Sequence, residues 1–151
     1  KPEPLKQWQI LEKMGITTVE AAAVDWKSYS VIVDALLGYN LTGNPKGRFA
    51  ELIAAANNAA ATYSIPVLAV DLPSGLDADS GKPMEPCIIA AVTVALSAVK
   101  KGLLAKEARP YVGRLYVAYM GVPKQIAEEF GLHENFSSSN LIAEANFDEL
   151  I

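Results

Sequence analysis

Val31 to Gly47, VIVDALLGYNLTGNPKG, and Pro66 to Gly81, PVLAVDLPSGLDADSG, decide the fold. Each begins as an apolar run of strand length, reaches an aspartate and passes into a glycine-bearing turn. Asp34 and Asp71 therefore sit where strands stop. In a parallel α/β sheet every carboxyl end lies along one edge, and ligands bind in the crevice outside that edge. The pair predicts a small-molecule site on an α/β domain.

Working outward, helical spacing of apolar residues at 5, 8, 10, 11 and 14 predicts a helix over 5–14 closed by Gly15. Ile16 to Val19 reads as a short strand, and 21–27 is ambiguous. The near-absence of polar alternation from Tyr29 to Asp34 predicts a strand covered on both faces. An alanine-rich stretch from Gly47 to Tyr63 predicts a helix, and Val67 to Val70 a buried strand led by Pro66. Leu72 to Pro86 holds Pro73, Gly75, Gly81, Pro83 and Pro86, which predicts a long loop. Strands are expected again over 91–96 and 113–118, with a turn at Lys101-Gly102 between them. Pro123 suits the first turn of a further helix. From Gly131 onward, with Ser137 to Asn140, a loosely attached tail is expected. This order predicts a Rossmann-like three-layer α/β/α domain with a mostly parallel sheet.

Composition narrows the class. With 151 residues, 51% of them hydrophobic, the chain can bury a core as one domain. No apolar run nears the ~20 residues of a membrane helix, and the first residues, KPEPLKQWQ, lack the apolar stretch of a secretory signal. A single cysteine, Cys87, excludes an internal disulfide and a cysteine-built zinc site; it reads as a small packed residue near a strand start. These features predict a cytoplasmic protein. Net charge is −4, yet Glu128, Glu129, Glu134, Glu144, Asp148 and Glu149 all lie beyond the last basic residue, Lys124. The body is thus nearly neutral and the tail acidic, so neither nucleic acid nor a membrane is an expected partner.

Gly38 to Gly47 follows a strand and precedes a helix, where glycines admit a phosphate and the helix offers free N–H groups. It matches neither a Walker A loop nor GxGxxG, so a phosphate cradle and a plain connection both remain open. Asp34 is open between a turn cap and an oxygen ligand for a cation. Asp71-Leu72-Pro73-Ser74-Gly75 adds a second strand-end carboxylate and a hydroxyl on the same rim. A hydrolase nucleophile at Ser74 is disfavoured, because Leu72 stands where the elbow motif needs glycine and the one histidine, His133, falls in the tail. Asp77 and Asp79 read as solvated turn formers, and Lys100 and Lys101 as solvated lysines or phosphate contacts.

Together, VDALLGYNLTGNPKG and PVLAVDLPSGLDADSG resemble the YjeF N-terminal domain family, the NAD(P)HX epimerases. TVALSAVKKGLL, with Thr93, Lys100 and Gly102, and GRLYVAYMGVP up to Pro123 extend the resemblance over most of the chain. It implies interconversion of the R and S hydrates of NADH and NADPH, with a separate dehydratase restoring the S form. It further implies a potassium ion held by Asp34 and Ser74, phosphates wrapped by Gly38, Tyr39, Asn40, Leu41, Thr42, Gly43 and Asn44, and Asp71 at the hydrated nicotinamide as acid and base. Residues 1–130 would form the C-terminal majority of that domain and 131–151 an acidic tail. The family's Asn-Asn-Gly-Gly-Asp-Gly loop has no counterpart in this sequence, and Tyr119 stands where relatives carry aspartate. The expected partners are therefore a complementary N-terminal segment and, as in relatives, a second copy in a homodimer. The alternative is a non-catalytic ligand-binding or dimerisation scaffold, a use this domain type has in an mRNA-decapping factor.

Overall fold

The computed structural model describes residues 2–122, 124–129 and 142–145. Helix α1 (Pro2–Lys13) is followed by two single 3-10 turns, at 21–23 and 26–28, rather than by a strand over 16–19. Strand β1 (Ile32–Asp34) leads through helix α2 (Arg48–Tyr63) to β2 (Val67–Val70). A long irregular segment then reaches β3 (Val92–Leu96). Two 3-10 turns and the short helix α3 (Arg109–Val112) connect to β4 (Arg114–Ala118), and helix α4 (Lys124–Glu129) follows. Strand β5 (Ile142–Glu144) is the last described element. His133 and Ser137 to Asn140 lie outside the described residues, as does Pro123.

The strands stand in chain order, β1 to β4 parallel and β5 antiparallel to β4. The fold is therefore α/β with a mostly parallel sheet, as expected from the two apolar runs. Parallel neighbours need a crossover, and here only the first is a full helix. The segment expected as a loosely attached tail instead supplies β5. Arg114 on β4 donates to both carboxylate oxygens of Glu144 on β5, at 3.0 and 3.1 Å.

Side chains alternate between the two faces of a strand, and here the faces differ. Register aligns Ala69 with Thr93 and Thr93 with Leu115. These three are buried, as are Val67, Ala95 and Val117 on the same face. Ile53 and Ala56 of α2 pack there against Val67 and Ala69. Beside them Leu72, Leu76, Leu103 and Val112 pack on Ala95 and Leu115. Thr93 is satisfied within this core, its hydroxyl donating to the Val112 carbonyl at 2.7 Å. On the opposite face Leu68, Val70, Val94, Leu96 and Tyr116 are only half-buried, and Val33 of β1 is 59% exposed. The expectation that β1 is covered on both faces is thus not met. Helix α1, expected over 5–14, begins three residues earlier, at Pro2, and ends at Lys13; its apolar residues Leu5, Trp8 and Leu11, and Met14 just after it, are exposed. Among the described residues no helix is long and apolar enough to cross a membrane.

Candidate active site at the carboxyl ends of the parallel strands

Asp34, the last residue of β1, is 2% exposed, and its carboxylate faces the bend after β2. One oxygen accepts the Ser74 N–H at 2.7 Å. The other accepts the Ser74 hydroxyl at 2.6 Å and, at 3.3 Å, the Leu36 N–H. Ser74 Oγ in turn accepts the Leu37 N–H at 2.9 Å. Residues about forty positions apart are so joined by charge-assisted bonds, the strong kind. The bend itself depends on Gly75: with φ of +99°, it lies so close to the returning chain that a Cβ would fall 2.6 Å from the Pro86 carbonyl oxygen.

Asp71 lies one residue past β2. Its N–H donates to the Val94 carbonyl at 2.8 Å, continuing the ladder. Its φ is +74°, a left-handed conformation that aspartate tolerates better than most residues. Its side chain is held at one oxygen. Oδ1 accepts the Leu96 N–H at 3.0 Å and an ion-paired hydrogen bond from Lys100 Nζ. Among the described residues nothing donates to Oδ2. Lys100 is therefore held by Asp71 and the Leu96 carbonyl and is not a freely solvated lysine. Its pairing with Asp71 was not legible in the sequence because nothing local joins positions 71 and 100.

Gly38 to Asn40 and Thr42 to Asn44 are exposed on the connection from β1 to α2, with Leu41 half-buried. A Cβ on Gly38 would meet open space, so packing does not explain the glycine. Asn44 Oδ1 accepts the Glu85 N–H at 3.2 Å, tying this loop to the one after β2. Asn57 of α2 clamps that second loop further, donating to the Cys87 carbonyl at 2.8 Å and accepting the Ile89 N–H at 3.0 Å.

Cys87 is buried, and burial together with Asp34 and Glu85 pushes its thiol up to about 12, which suits packing and not nucleophilic work. Asp77 behaves as a turn former: Ser80 donates to it through both hydroxyl and N–H, holding its carboxyl below the ordinary value. Tyr119 closes the turn after β4, its hydroxyl donating to the Val122 carbonyl at 2.8 Å.

Among the described residues no three histidines, cysteines or carboxylates converge as a metal cluster. What does converge is all oxygen: the Asp34 carboxylate, the Ser74 hydroxyl and the Leu37 carbonyl, 3.4 Å from that hydroxyl. Oxygen donors suit a hard cation, so the set fits potassium in kind. It does not fit a thiolate- or imidazole-seeking metal.

The family model described as YjeF-related protein N-terminus matches residues 1–102. An NAD(P)H-hydrate epimerase of Oenococcus oeni is 37% identical over 116 residues, 77% of this chain and 53% of that protein. One of Pirellula staleyi is 34% identical over 125 residues, 83% of this chain and 53% of its own length. The bifunctional NAD(P)H-hydrate repair enzyme Nnr of Pyrobaculum aerophilum is 38% identical over 120 residues, 78% of this chain and 23% of that enzyme. The chain thus spans about half the length of the epimerases it matches. The crystal structure of yeast ynu0, YNL200c, superposes with a TM-score of 0.71 at 24% identity, covering 89% of this chain and 57% of the yeast chain. That likeness concerns the fold.

Proposed function

The chain belongs to the family of YjeF-related protein N-termini, and from that premise we propose that it carries one part of an NAD(P)H-hydrate epimerase site. The observation that supports this most is the state of Asp71. One oxygen is fixed by Leu96 and Lys100, and the other is without a donor among the described residues, at the edge where ligands of parallel sheets bind.

In the hydrated nicotinamide the altered carbon bears a hydroxyl next to the ring nitrogen. The nitrogen lone pair helps that hydroxyl leave. Asp71, in its protonated form, gives it a proton, the carbon–oxygen bond breaks and water departs, leaving Asp71 as the carboxylate that pairs with Lys100. A second water adds to the opposite face of the resulting iminium and returns a proton to Asp71, so the centre inverts with atoms and charge balanced. Gly38 to Asn44 accommodates the dinucleotide phosphates. At Gly38 a ligand can approach the backbone where a Cβ would otherwise stand, and the N-terminus of α2 presents N–H groups beyond. Asp34 and Ser74, with the Leu37 carbonyl, would hold potassium, which when bound supplies positive charge beside an anionic substrate. A dehydratase acting on the S hydrate completes the repair.

The half-covered sheet face and the edge of β1, unpaired among the described residues, support a further part of the proposal, that a complementary segment finishes both the site and the fold. The same surfaces favour the alternative, a binding or dimerisation module without catalysis. The deciding experiment follows R and S hydrate interconversion by the full-length polypeptide, with and without potassium. Exchange that needs potassium and is strongly reduced, to a small residual rate, by Asp71→Asn is expected. No exchange by folded protein in either condition leaves the scaffold reading.

A further inference from the structure

We propose that Lys100 is the positioning residue for Asp71, an inference that rests on Asp71 exchanging the proton at the altered nicotinamide. The side chains of Lys100 and Asp71 form an ion pair at 23% and 22% exposure, neither buried nor fully in water. Nζ also donates to the Leu96 carbonyl at 3.1 Å. The ammonium thereby bridges the carboxylate and the end of β3, while the Leu96 N–H reaches the same Oδ1 at 3.0 Å. Rotation of the carboxylate would break both bonds to Oδ1. Oδ2 is thus held in one direction, which is what proton exchange with a bound ligand requires.

Two features set this pair apart from an ordinary surface ion pair. The first is the backbone of Asp71, at φ of +74°. A non-glycine residue persists there when its surroundings over-determine it, and such residues cluster at functional sites. The second is how Lys100 is placed. Two residues on, the Gly102 N–H donates to the Ala78 carbonyl at 2.7 Å, and a Cβ on Gly102 would lie 2.4 Å from the Asp77 carbonyl oxygen. From the other side a Cβ on Gly81 would lie 2.4 Å from the Gly102 carbonyl oxygen. The loops after β2 and β3 are therefore packed backbone to backbone, and Leu103 is anchored in the core. This zipper fixes the root of Lys100 relative to Asp71, and a shorter or mobile side chain at 100 would lose the pair.

The experiment measures hydrate interconversion by the full-length polypeptide carrying Lys100→Met, Lys100→Arg, Asp71→Asn, or both Lys100→Met and Asp71→Asn, each checked for a wild-type melting transition. Lys100→Gln replaces Lys100→Met if the latter melts early. Lys100→Met is expected to lower kcat by about 10²-fold with KM nearly unchanged, and Lys100→Arg to restore a large part of it. The double variant is expected to be no slower than Asp71→Asn alone, because residues acting as a unit are not additive. Wild-type kcat in folded Lys100→Met, a loss confined to KM, or a further loss on top of Asp71→Asn overturns the assignment. If wild type exchanges, Asp71→Asn is strongly slowed and Lys100→Met is not, only the role of Lys100 falls. If wild type itself fails to exchange, the epimerase reading falls and takes this assignment with it.

Discussion

Asp34 and Ser74 stabilise the fold whether or not an ion binds, since a buried carboxylate is tolerated only when its oxygens are met by donors. Ser74→Ala removes a donor from Asp34 and an acceptor from the Leu37 N–H. It is expected to cost roughly 1–3 kcal/mol in urea unfolding, and an unchanged midpoint would refute the staple. Cys87 gives a prediction in pH. Its proton is retained in the folded state up to about 12 against an ordinary value of 9.0, so folded and unfolded chains bind protons equally below pH 9. Between 9 and 12 only the unfolded thiol ionises, and this group's contribution to stability falls as pH rises through that window. Native protein should resist thiol alkylation at pH 8 and react fully in denaturant; rapid labelling of the native state would contradict the burial. These residue-level features were half legible. A strand-end aspartate and a DLPSG bend are visible in the sequence, but that Asp34 binds Ser74, or Asp71 binds Lys100, depends on two strands lying side by side.

At the scale of elements, two kinds of glycine are distinguished by what surrounds them. Gly102 packs against the backbone of 77–78, so Gly102→Ala is expected to destabilise by about 1–3 kcal/mol through overpacking, read as an earlier thermal transition. Gly38 has nothing within 4 Å of a built Cβ. Gly38→Ala should leave the transition in place and weaken substrate binding, visible as a raised KM; an early transition would show instead that this loop packs. Strand assignments succeeded at 67–70, at 91–96 and at 113–118, where the observed strands are Val67–Val70, Val92–Leu96 and Arg114–Ala118, and failed at 16–19. There β-branched residues have no neighbouring strand to pair with among the described residues. Helix α3 and strand β5 escaped notice because each is short, with four and three residues, and depends on packing instead of intrinsic propensity.

At the scale of the whole molecule, the sheet is, among the described residues, finished at one edge and open at the other. Strand β5 covers β4, whereas among the described residues β1 pairs only with β2. Exposed Val31 and Val33 stand on or beside that free edge, and α1 exposes Leu5, Trp8 and Leu11. An apolar unpaired edge templates association, so residues 1–151 alone are expected to self-associate in light scattering, and Val33→Lys to reduce it. A monodisperse, cooperatively melting monomer would refute this. The sequence by itself determined the α/β class, the strand ends that bear Asp34 and Asp71, and the family resemblance, because continuous apolar runs, glycines and carboxylates leave marks within a few residues. Only the tertiary structure decided which face of the sheet is covered, that Ser74 closes on Asp34, and that Lys100 grips Asp71. Those outcomes depend on strands brought into register across tens of residues, and no local pattern encodes that contact.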